Sequence, residues 1–181
     1  MPYRFTFTPE IVRALQVIER ARAEVTLTVL PPGVAEELRL KARLKSTHYS
    51  TRIEGNRLTL AEAEQVVIEG RRFPGRERDT LEVQHYFQAL AQIEEWVEQA
   101  KEVTEKRIQQ LHAIIFIGKR ARPTAYRDGQ NVVKDEAGQI VYMPPEAKDV
   151  PILMAELVAW IRQAESEQAV PIIAGMAHYQ S

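Results

Sequence analysis

Ser50-Thr51-Arg52-Ile53-Glu54-Gly55-Asn56, followed by Arg57-Leu58-Thr59-Leu60-Ala61-Glu62, is the stretch on which the reading of this chain turns. The spacing of apolar residues ahead of it predicts a helix from about Val34 to Glu54. Gly55 and Asn56 are the residue types that best tolerate a left-handed helix stop. Thr59-x-x-Glu62 is a capping-box pattern, which opens a short helix with Ala63, Val66 and Val67 inward and Gly70 at its close. Ser50 and Glu54 stand four apart and share one helix face. Glu54 falls in a last turn, where free carbonyls leave a partial negative charge. A carboxylate there is disfavoured without a cation from elsewhere in the fold. The plainer reading of the same residues is a solvated Glu before a glycine stop, and spacing leaves both open.

Outward from this stretch the pattern stays mostly helical. Ile11, Leu15, Ile18 and Val25 outline a first helix after Thr8-Pro9, and Leu30-Pro31-Pro32-Gly33 breaks it. On the other side, Arg71 to Arg78 is a charged loop. Tyr86, Leu90, Ile93 and Val97 then form the stripe of a long helix. Thr104 caps another, with Ile108, Leu111 and Ile115 on one face. After Arg122-Pro123 the period changes. Asn131-Val132-Val133 and Ile140-Val141-Tyr142 flank Asp135-Glu136-Ala137-Gly138 and read as a hairpin. Asp149 and Pro151 start a helix carrying Val150, Leu153, Met154, Leu157 and Ile161, and a last apolar segment from Pro171 is helix-compatible. A hairpin projecting from a helical body offers an edge to an extended peptide. It can equally be a plain connection, with Lys134, Asp135 and Glu136 discouraging edge pairing.

Composition narrows the function classes. The 181 residues are 45 % hydrophobic and 27 % charged, as in an ordinary globular protein. A net charge of −1 gives no broad electrostatic reason to bind nucleic acid or an anionic membrane. With no cysteine, disulfides and thiol chemistry are excluded. No apolar run approaches the roughly 20 residues of a membrane span, and the start has no secretory h-region, so a cytoplasmic protein is expected. His48, His85, His112 and His178 have no paired motif. His112 and His178 read as core histidines, and Trp96 and Trp160 as packing aromatics. Glycine never occurs as Gly-x-Gly, so no phosphate loop of that kind is present.

Taken in order, these segments resemble the Fic family. Ser50-x-x-x-Glu54-Gly55 is similar to its inhibitory motif. Arg122-Pro123-x-x-Tyr126-Arg127 resembles the stretch before its flap, and Asn131 to Met143 the flap itself. Tyr142-x-Pro144-Pro145 and Val150-Pro151-x-Leu153-Met154 are similar to the family's segment downstream of the flap. Arg78 to Leu90, with Glu82, His85 and Ala89, is a looser match to the preceding helix. The resemblance implies a mainly α, Fic-type helical domain with an inserted β-hairpin flap, incomplete at its C-terminus. Residues 1–75 would be an N-terminal helical region with an inhibitory helix, and 76–181 a partial core.

The resemblance also implies chemistry: transfer of AMP from ATP, with magnesium, to a hydroxyl of a target protein. Glu54, presented by Ser50 and Gly55, would pair with the Arg that holds the ATP γ-phosphate and so oppose ATP. A target would bind the flap at Gln130, Asn131, Val132, Val133, Ile140, Val141 and Tyr142. The family's catalytic loop, His-Pro-Phe followed by Gly-Asn-Gly-Arg, occurs nowhere in the sequence. The pattern places it just after Ala177-His178-Tyr179-Gln180. No catalytic or metal residue can therefore be carried over, and these 181 residues are expected to bind ATP weakly and to transfer no AMP. Without the loop, Ile172, Ile173 and Met176 are expected to be exposed and to favour self-association. A second reading is a non-catalytic interaction module, or an antitoxin-like inhibitor supplying Glu54 in trans.

Overall fold

The computed structural model describes residues 4–118 and 122–180, so residues 1–3, 119–121 and 181 lie outside the described residues. Among the described residues, seven α-helices and one small hairpin follow one another as α1 (Pro9–Leu27), α2 (Pro32–Ile53), α3 (Leu60–Glu69), α4 (Glu77–Glu98), α5 (Glu105–Phe116), β1 (Val133–Lys134), β2 (Ile140–Tyr142), α6 (Val150–Ala164) and α7 (Val170–Gln180). The chain divides into two compact units. The first is Thr28–Glu102 with Arg107–Thr124, and the second is Met1–Leu27, Val103–Lys106 and Ala125–Ser181. The regions 1–75 and 76–181 expected from the family pattern follow motif order, which is a different criterion.

In the first unit α2, α3 and α4 pack on one another. Leu58, Ala63, Val66 and Val83 make the core, with Val67 and Phe73 against it. Fully burying a side chain of the Val or Leu class contributes about 1.5–3 kcal/mol, so this small cluster fixes the three helices. The local signals act as read. Thr59 and Glu62 form a reciprocal capping box, and Gly70 ends α3 at φ +67°. Gly55, at φ +91°, turns the chain out of α2 in the left-handed region that favours glycine.

Helix faces depart from the expected stripes. In α4 the buried residues are Asp79, Thr80, Val83 and Ala89, while Val97 is 71 % exposed and Ile93 also faces solvent. The inward face is partly polar because hydrogen bonds compensate it: Arg57 pairs with Asp79 at 3.0 Å, and the Thr80 hydroxyl donates to the Arg76 carbonyl at 2.9 Å. In α5 the buried pair is Ala113 and Ile114, with Ile108, Leu111 and Ile115 only half-buried. His112 is exposed, not a core residue; its Nδ1 lies 2.8 Å from the Thr124 hydroxyl.

The second unit holds α6 against α7 through Leu157, Ile161, Ala164 and Ile173, with Met154 and Trp160 packed on them. Ile173 is thus covered by α6, and Ile172 and Met176 are half-buried, so the exposure expected of these three is not observed. The first helix, α1, buries none of its residues.

Candidate functional site: the cleft beside Glu54 and the hairpin

The end of α2 opens onto a cleft of about 710 Å³ in the first unit. Ser50, Thr51 and Glu54 line it from α2, Arg78, Glu82, His85 and Tyr86 from α4, and Ile115 and Phe116 from α5. The helical spacing that puts Ser50 and Glu54 on one face thus puts them on one cavity wall. Thr51, buried beside them, donates its hydroxyl to the Thr47 carbonyl at 2.9 Å. Glu54 caps α2, its amide donating to the Thr51 carbonyl at 3.1 Å, and its side chain is exposed. It has no bonded cation among the described residues. Arg78 is the guanidinium that shares its cleft.

Across the cleft His85 is boxed in. Its Nδ1 lies 3.1 Å from the Ile115 carbonyl, and a Cβ placed on Gly118 would stand 3.2 Å from its Nε2. Gly118 itself sits at φ +119°, a conformation that favours glycine, and a β-carbon there would press on the His85 ring. Between α3 and the start of α4, Arg76 donates twice to Glu62, at 3.0 and 2.5 Å. That guanidinium, aided by the Thr59 amide, holds the Glu62 carboxyl down at about 2.

The hairpin lies in the second unit. Val133 pairs with Tyr142 and Lys134 with Ile140, antiparallel, with an irregularity between Val133 and Lys134. Its turn bonds to itself: the Gly138 amide donates to the Asp135 carbonyl at 3.0 Å, and the Gln139 amide to Asp135 Oδ1 at 2.8 Å. Its base is tied by side chains. Gln130 Nε2 donates to the Pro144 carbonyl at 3.0 Å, and Arg127 donates to the carbonyls of Gly129 and Pro145. Beside it the Tyr126 hydroxyl donates to Glu105 at 2.9 Å; burial and that carboxylate push its pKa up to about 12. Val133, Ile140, Val141 and Tyr142 are all at least half exposed. Among the described residues the two strands pair only with each other, which leaves an unpaired edge on each side.

Among solved structures the chain matches a Fic family protein from Desulfovibrio desulfuricans G20, at 29 % identity and TM-score 0.72 over 98 % of this chain and 53 % of that one. It also matches a Fic domain containing signaling protein from Bacteroides thetaiotaomicron VPI-5482, at 21 % identity and TM-score 0.73 over 85 % of this chain and 59 % of that one. The chain has the Fic fold. No family model and no curated protein matches it. These 181 residues span little more than half the length of either Fic structure.

Within this Fic-type chain, Ser50 and Glu54 come together on the cleft, and Gln130 to Tyr142 come together on the hairpin. Arg78, Glu82 and His85 are the cleft residues that motif reading undervalued. A signal existed in the one-turn spacing of Arg78, Glu82 and His85 along α4, but only tertiary packing brings that face to Glu54. No helix among the described residues is long and apolar enough to cross a membrane.

Proposed function

We propose that this chain is the regulatory and target-clamping portion of a Fic-type protein adenylyltransferase, an enzyme that transfers AMP from ATP to a hydroxyl of a target protein. The observation that carries this reading is the cleft wall shared by Ser50 and Glu54. A volume of about 710 Å³ is within the usual range for small-molecule sites. Arg78 offers it one cation, and Glu54 offers an unpaired carboxylate that an incoming guanidinium or a phosphate would meet first. A carboxylate–guanidinium pair is roughly twice as strong as a neutral hydrogen bond, enough to keep an Arg from a nucleotide phosphate. Glu54 therefore opposes ATP, and Ser50, one turn earlier, steadies the helix end that presents it.

When bound, ATP would supply the adenylyl group: the target hydroxyl oxygen bonds to the α-phosphorus, its proton is lost, and pyrophosphate leaves. The described residues hold no cluster of three carboxylate or imidazole groups suited to magnesium, so no step is assigned to a metal held by this chain. The hairpin supplies the other half of the reading: its free edge takes an extended target segment through backbone pairing. In the full-length protein, Glu54→Gly should raise AMP transfer to a target, and Ser50→Ala should raise it less. A folded, ATP-binding Glu54→Gly protein with unchanged or lower transfer, scored by labelled ATP, would count against autoinhibition.

A further inference from the structure

Asn56, two residues after Glu54, is buried to 6 % exposure and uses every polar atom of its side chain. Its Oδ1 accepts the Leu58 amide at 3.0 Å. Its Nδ2 donates to the Asp79 carbonyl at 2.9 Å and to Glu82 Oε2 at 2.8 Å. Its own amide donates back to the Thr51 carbonyl at 3.1 Å. The turn holding Glu54 and Gly55 is therefore fixed twice, to the last turn of α2 by backbone and to the first turns of α4 by one side chain. Glu82 is also a wall of the cleft that Glu54 faces. We propose that Asn56, acting through Glu82, is a positioning residue for Glu54: it sets where that carboxylate stands and so sets how firmly the cleft is guarded.

The chemistry makes the amide specific. Both protons of Nδ2 are in use, and one goes to a charged acceptor, the stronger kind of hydrogen bond. Aspartate at this position keeps the acceptor for Leu58, loses both donors and sets a second carboxylate against Glu82. This inference rests on the reading of Glu54 as an inhibitor, and its test separates the two. Amide hydrogen exchange on the chain is the direct readout. Asn56→Asp should speed exchange at Glu54 and Gly55 at least about tenfold, as expected for losing a charged hydrogen bond. Leu58, whose acceptor remains, and Val66 in the core should keep their protection. Glu82→Ala is the milder break and should move the same two amides. Asn56→Asp with Glu82→Gln, where the new amide donates to the new carboxylate, should return them toward the native rates.

In the full-length protein, Asn56→Asp should raise AMP transfer toward the Glu54→Gly level, and combining the two should add nothing to Glu54→Gly alone. Unchanged exchange at Glu54 and Gly55 in both single variants, or a rise that spreads equally to Val66, overturns the proposal. An active Glu54→Gly beside an unresponsive, folded Asn56→Asp overturns it alone and leaves the inhibitory reading standing. A flat Glu54→Gly overturns the inhibitory reading, while the local exchange pattern still supports Asn56 as the anchor of that turn.

Discussion

At the scale of single residues, the first unit carries two groups whose energetics can be measured. Thr47 is fully buried on α2, and its hydroxyl has no hydrogen-bond partner among the described residues. A buried, unsatisfied hydroxyl costs more than it returns, so Thr47→Val, which keeps the shape, should stabilise the protein by about 1 kcal/mol. In a thermal melt that is about 2–4 °C in Tm for a chain of this size. Glu62 shows the opposite case. The Arg76 guanidinium lowers its carboxyl from an ordinary 4.5 to about 2 in the folded protein. A lowered folded pKa means that the stabilisation is complete above pH 4.5 and drains away as pH falls toward 2. Denaturant melts taken across that window should show stability falling with pH. Arg76→Gln should flatten the fall.

At the scale of elements, what was legible in the sequence is what local chemistry decides. The capping box at Thr59 and Glu62, the left-handed stop at Gly55 and the hairpin around Asp135–Gly138 each depend on residues a few positions apart. Helix faces were less legible. The inward side of α4 includes Asp79 and Thr80, which no count of apolar residues can place; Asp79 is compensated by Arg57 from the turn after α2, and Thr80 by the carbonyl of Arg76, the N-cap of α4 itself. The same limit applied to the cleft: Ser50 and Glu54 were visible as a pair, but Arg78, Glu82 and His85 reach them only through packing. For the hairpin, the proposed clamp makes a specific prediction. Val132 lies just before β1, outside the paired residues, so Val132→Pro removes an edge amide without breaking the ladder. Crosslinking of a target peptide to the hairpin should drop several-fold while the thermal melt stays within about 2 °C, since exposed loop changes rarely exceed about 0.5 kcal/mol. Full capture by a folded Val132→Pro protein would remove the hairpin edge from the mechanism.

At the scale of the whole molecule, the 181 residues taken alone should transfer no AMP. Catalysis of that reaction needs a base beside the target hydroxyl and preorganised donors around the phosphates. His85 in the cleft already has its Nδ1 beside a backbone carbonyl, and Glu54 puts a carboxylate on the cleft wall. Labelled ATP, magnesium and candidate targets incubated with the chain and with its Glu54→Gly variant should give no label above a protein-free control. Label on a target would reveal a catalytic centre within these residues. The division into two units has a consequence of another kind. The chain passes from one to the other at residues 27–28, 102–103, 106–107 and 124–125, and α5 begins in one unit and finishes in the other. No single protease cut can therefore release either unit whole, and no single crossover between genes can deliver one without part of the other. The cleft and the hairpin are less entangled than the units that hold them: the cleft lining ends at Phe116 and the hairpin begins at Val133, so one crossover in the stretch between could exchange the hairpin and leave the cleft wall intact.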